Sequence, residues 1–89
     1  MSYRILIHTR ANKFIGKHSN DTVFIERLEK KYLDLSNDPY SCVENSFHST
    51  KCPRCKKTRI GNYRIIYYII EDKKIVEIID IGLRKNIWD

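Results

Sequence analysis

The spacing of apolar residues along this chain changes period once, from a mostly helical first part to a stranded second part. Tyr3–His8 reads as an opening β-strand, with Ile5 and Ile7 alternating with Arg4. Thr9 to Lys17 follows as a short helix, with Thr9 as its N-cap and Gly16 near its end. From Asp21 the apolar residues recur at steps of three and four: Phe24, Leu28, Tyr32 and Leu35, with Ile25 and Leu33 widening the stripe. Glu26 and Lys30 fall four residues apart on the outer face, in the order that favours an ion pair. Asn37-Asp38-Pro39 ends this helix, because a proline ring disfavours helical geometry in the residue before it.

Residues 40–55 show no period and read as a long connection. Strand signals then take over. Lys56–Ile60 is a short strand, Gly61-Asn62 a tight turn, and Tyr63–Ile70 a strand apolar on both faces apart from Arg64. Glu71-Asp72-Lys73-Lys74 makes a second turn into a strand over Ile75–Ile81. Nine isoleucines between Ile60 and Ile81 suit the preference of β-branched side chains for pleated strands. Connections this short join only antiparallel neighbours. The expected fold class is α+β in the order β-α-α-β-β-β: two N-terminal helices packed on one face of a four-stranded, mainly antiparallel sheet. One domain is expected to span residues 1–89, with a basic patch on the opposite, concave face.

Charge sharpens this picture. Lys and Arg number 17 against 11 Asp and Glu, a formal net charge of +6. Residues 1–50 are near neutral, with seven basic and six acidic residues, whereas residues 51–89 carry ten basic and five acidic. Lys51 to Arg64 holds six basic residues and no acidic one. A patch of this kind points to a polyanionic partner. A chain this short has too little material to wall in a deep pocket, so any site is a surface or a groove. No stretch approaches the roughly 20 apolar residues that span a bilayer, and no signal peptide is evident. No membrane association is expected, and the expected location is the cytoplasm. Three cysteines, an odd number, argue against a secreted disulfide framework.

Two groups of residues have chemistry to offer. Cys52-Pro53-Arg54-Cys55 has the form of a zinc knuckle, with His48 and Cys42 as further possible ligands. Bound zinc, a Cys52–Cys55 disulfide and reduced thiols all remain open for it. The cations of the strand region are the second group. Arg64, in an otherwise apolar strand, either pairs with a carboxylate such as Asp80 or faces an anionic ligand.

Arg59-Ile60-Gly61-Asn62-Tyr63-Arg64-Ile65-Ile66-Tyr67 resembles the Arg-x-Gly-x-Tyr-Arg-x-x-Tyr hairpin of the RelE/ParE superfamily, the toxins of bacterial and archaeal toxin–antitoxin pairs. Gly82-Leu83-Arg84, leading to Trp88, resembles that superfamily's Gly-x-Arg segment before a C-terminal aromatic residue. With size and element order added, the resemblance covers nearly the whole chain. It implies a metal-independent mRNA endonuclease needing no cofactor and acting on the ribosome, in the RelE branch, or a DNA gyrase inhibitor in the ParE branch. It also implies an acidic RelB-like antitoxin as partner. Arg64 and Arg84 match the family's phosphate-contacting arginines, a role that suits the two parallel N–H donors of a guanidinium. Lys57 lies close to the family's catalytic lysine, with Lys56 and Arg59 as register alternatives, and Lys85 extends the RNA-binding set. Trp88 stands where RelE-type nucleases often have tyrosine; indole stacks on a base but is no general acid or base.

Overall fold

The computed structural model describes residues 2–43 and 53–83. Helix starts follow from polar side chains that reach free backbone amides. The Asp21 carboxylate accepts the Phe24 N–H at 3.1 Å and opens α2, Thr22–Asn37. The first helix, α1, spans Thr9–Lys17 as the spacing predicts, but its cap is one residue earlier. His8 is the N-cap, and its Nδ1 accepts the Arg10 N–H at 3.2 Å, while Thr9 is already helical. Ahead of α1 lies β1, Arg4–Ile7. After α2 come β2, Lys56–Ile60, β3, Tyr63–Ile70, a 3₁₀ turn over Glu71–Lys73, and β4, Ile75–Leu83. The last strand runs two residues beyond the expected Ile81.

The sheet order is β1-β4-β3-β2. β2–β3 and β3–β4 are antiparallel hairpins, and β1 lies parallel to β4. Gly61 has φ of +56° in the β2–β3 turn, a left-handed conformation that glycine adopts without strain. Lys74, also left-handed, closes the β3–β4 turn.

Alternation along the strands sends one set of side chains to the helices. Ile60, Ile65, Tyr67, Val76, Ile78 and Ile81 share a core with Ala11, Phe24, Leu28 and Leu35. Strict alternation from Val76 and Ile78 would bury Asp80. A bulge prevents it: Ile66 pairs with Asp80 and Tyr67 with Ile78, so Ile79 is the extra residue and Ile81 returns to the core. The helical stripe is narrower than its spacing suggests. Ile25 packs against the core, but Leu33 is 67% exposed. The expected Glu26–Lys30 ion pair does not form among the described residues.

Polar contacts fasten the chain between α2 and the sheet. The Tyr67 hydroxyl, buried and raised in pKa by that burial, donates to the Pro39 carbonyl at 2.6 Å. The Ser36 hydroxyl donates to the Tyr3 carbonyl, whose residue's N–H donates to the Ser36 carbonyl. Tyr3 and Tyr40 both donate to Glu71 Oε1, and Lys74 donates to Oε2. These donors hold the Glu71 carboxyl at about 2, while the bond to Glu71 pushes the Tyr40 phenol up to about 12. No helix of the described residues is long and apolar enough to cross a membrane.

Candidate functional site

The face of the sheet turned away from the helices is set by the register of β2 on β3. Thr58, Ile60, Ile65 and Tyr67 point to the helices, so Lys57, Arg59, Arg64 and Ile66 take the other side. In this register Lys57 is across from Ile66, and Arg59 is directly across from Arg64. Like charges on facing positions destabilise a strand pair. The register pairs two arginine positions across the hairpin. Lys57 is only 9% exposed, and burying a lysine is unusual in a chain this small. Beside it a second, smaller apolar cluster forms from Ile66 and Cys55, with Tyr68 and Ile79 packed against them.

Across from Arg64 on its other flank lies Gly82 of β4. A glycine there adds no side chain next to Arg64 on that strand. Asp80, two residues earlier, forms an ion pair with Arg10 of α1 at 3.7 Å.

Of the sequence-derived candidates, Lys57 and Arg64 share the second face of the β2–β3 hairpin, and Arg59 starts on it. Lys56 does not join them: it has the parity of Thr58 and Ile60 and starts on the helix side. Arg59 begins on the second face, and its Nε–H donates to the Gly61 carbonyl of the turn at 3.4 Å. Arg84, Lys85 and Trp88 lie outside the described residues, as do His48 and Cys52. Cys42 is a free thiol whose pKa is raised by burial, and Cys55 is buried and disulfide-bonded. Among the described residues no group of three or more His, Cys, Asp or Glu could hold a metal ion. His8 and His18 are structural: His8 caps α1, and the His18 ring stacks on Phe14 at 4.2 Å while its Nδ1–H donates to the Phe14 carbonyl.

One group escapes a reading of the sequence. Arg27, Lys30 and Lys31 of α2 face Arg59 and Gly61 across a groove of about 260 Å³. Their spacing, i, i+3 and i+4, is the signal that could have found them.

Comparison with known proteins places the fold. No curated protein sequence matches the chain significantly. Its fold is similar to that of the RelBE2 toxin–antitoxin complex of Mycobacterium tuberculosis, with a TM-score of 0.77 at 20% identity, covering 94% of this chain and 100% of that one. It is similar also to the archaeal RelE–RelB complex of Pyrococcus horikoshii, with a TM-score of 0.76 at 23% identity over 98% and 100% of the two chains. A mutant of Escherichia coli RelE in the free state is 26% identical, with a TM-score of 0.70, over 93% of this chain and 84% of that one. Residues 5–88 match the family described as the ParE toxin of type II toxin–antitoxin system, parDE. The chain therefore belongs to the ParE toxin family of type II toxin–antitoxin systems, within the RelE/ParE superfamily.

Proposed function

We propose that this toxin is an endoribonuclease that cuts mRNA, on the ribosome and in the cytoplasm, with the second face of its sheet. The observation that supports this reading most is the register that puts Arg64 and the nearly buried Lys57 on the same face of the β2–β3 hairpin. RNA carries its own nucleophile. The 2′-hydroxyl attacks the adjacent phosphorus, the bond to the 5′-oxygen breaks, and that oxygen takes a proton. The products are a 2′,3′-cyclic phosphate and a 5′-hydroxyl. The protein's task is to stabilise the doubly negative phosphorane between them, and preorganised cations do this strongly.

In this scheme Arg64 and Arg84 hold the phosphoryl oxygens through paired N–H donors. Lys57 lies nearest the proton transfers, Trp88 stacks on a base, and Lys85 binds the backbone. Lys56, on the other side of β2, has at most an outlying part in that binding. An acidic antitoxin of the RelB kind is the proposed partner, since its charge would neutralise the basic region; the M. tuberculosis and P. horikoshii relatives are toxin–antitoxin complexes.

The match to a family described by ParE favours one alternative, an inhibitor that binds DNA gyrase and cuts nothing. Primer extension on mRNA from cells in which this chain alone is induced separates the two. Discrete new 5′ ends, absent with Arg64→Ala at matched expression, are the expected result. Growth arrest without new ends, together with loss of gyrase supercoiling in the presence of the purified protein, would establish the alternative.

A further inference from the structure

The groove between α2 and the β2–β3 turn has no part in the cleavage scheme, yet its charge is concentrated. Among the described residues four cations line it, Arg27, Lys30, Lys31 and Arg59, against one carboxylate, Asp34. None of the four cations forms an ion pair with another described residue. Arg27 and Lys31 stand four residues apart on α2, a like-charge arrangement that weakens a helix. The Arg27 guanidinium occupies the space that a Cβ at Gly61 would fill, 2.6 Å away, so the glycine lets it lie against the turn. Arg59 joins the two regions. It faces Arg64 in the strand register and lines the groove, with its Nε–H on the Gly61 carbonyl.

We infer that this groove binds a backbone phosphate of the same RNA strand that lies on the second face, a second anchoring site reached over the β2 edge at Arg59. This inference rests on the reading of the chain as an RNA-binding toxin. A nucleic acid fits the groove better than an acidic protein segment does, because docking peptides gain most from apolar burial. Ile60, the large apolar residue among the described lining residues, is already buried and has little surface left to cover. Backbone phosphates need only cations and room.

The test uses antitoxin-free protein and a fluorescently labelled single-stranded oligoribonucleotide, with affinity followed across a potassium chloride series. Lys30→Gln/Lys31→Gln should weaken binding on the order of tenfold. It should also lower the slope of log affinity against log salt by about 0.7 for each phosphate that the groove no longer neutralises. Asp34→Asn, which removes the groove's carboxylate, should tighten binding, an outcome that damage to the fold cannot mimic. Wild-type affinity and slope in both variants would overturn the inference. So would a double variant that loses affinity for poly-glutamate while binding RNA as the wild type does, because the groove would then serve an acidic protein. If the wild type cuts no RNA but the groove variants still shift RNA binding, the nuclease reading fails and the groove stands. If it cuts and the variants bind like wild type, the groove alone fails.

Discussion

The two faces of this sheet obey different rules. On the helix side the large apolar residues are explained by burial: Ile65, Tyr67, Val76 and Ile78 are fully covered and share a core with Leu35 and Phe24. A bulge at Ile79 even corrects the alternation so that Asp80 stays out of that core. On the other side the same strands bury a lysine and set two arginines opposite one another. In the proposed reading the chemistry belongs to the second face, and substitutions should separate it from the main core on the first.

Core truncation should have the largest effect. Ile65→Ala, on the helix side, should remove about 2–5 kcal/mol, much of the total stability of a domain this size. Thermal melting followed by circular dichroism measures it. Arg64→Ala, one residue earlier but on the other face, should melt near the wild type while RNA binding and growth inhibition fall ten- to a hundredfold, about 1.5–3 kcal/mol. If Arg64→Ala unfolds as Ile65→Ala does, the division between the faces is wrong. Tyr67→Phe should cost about 1–3 kcal/mol, because the Pro39 carbonyl loses its donor, and toxicity should survive.

The smallest effect expected is at the surface cluster around Glu71. Its carboxyl is held at about 2, against 4.5 ordinarily, mainly by the bond from Lys74 and then by those from Tyr40 and Tyr3. A depressed carboxylate contributes its stability above the unfolded value and loses it as the pH falls through the folded one. The melting temperature should therefore drop between about pH 4.5 and 2, and Glu71→Gln should flatten that limb. Solvent screening keeps the change modest. An unaltered acid limb in the variant would remove Glu71 from the account.

Much of this architecture is legible in the residues themselves. The α2 stripe, the Asn37-Asp38-Pro39 stop, the Gly61-Asn62 turn and the isoleucine-rich strands follow from local periods and turn chemistry. What local periods do not encode is the rest. The place of β1 beside β4 depends on a pairing between distant segments, and the bulge at Ile79 on how β4 meets β3. The choice among Lys56, Lys57 and Arg59 needs the register, since a slip of one residue moves every side chain to the other face. The groove stays half hidden because spacing on α2 shows its cations but not that they meet Arg59 and Gly61 of the distant hairpin.

The central claim is that cations on the second face stabilise attack by the RNA's own 2′-hydroxyl. The most direct measurement places a single 2′-deoxynucleotide on the 5′ side of the mapped cut in an mRNA held on purified ribosomes. Wild-type toxin should leave that bond intact, while cutting the all-ribose message to a 2′,3′-cyclic phosphate and a 5′-hydroxyl. Cleavage at the deoxy site at the normal rate would contradict the account.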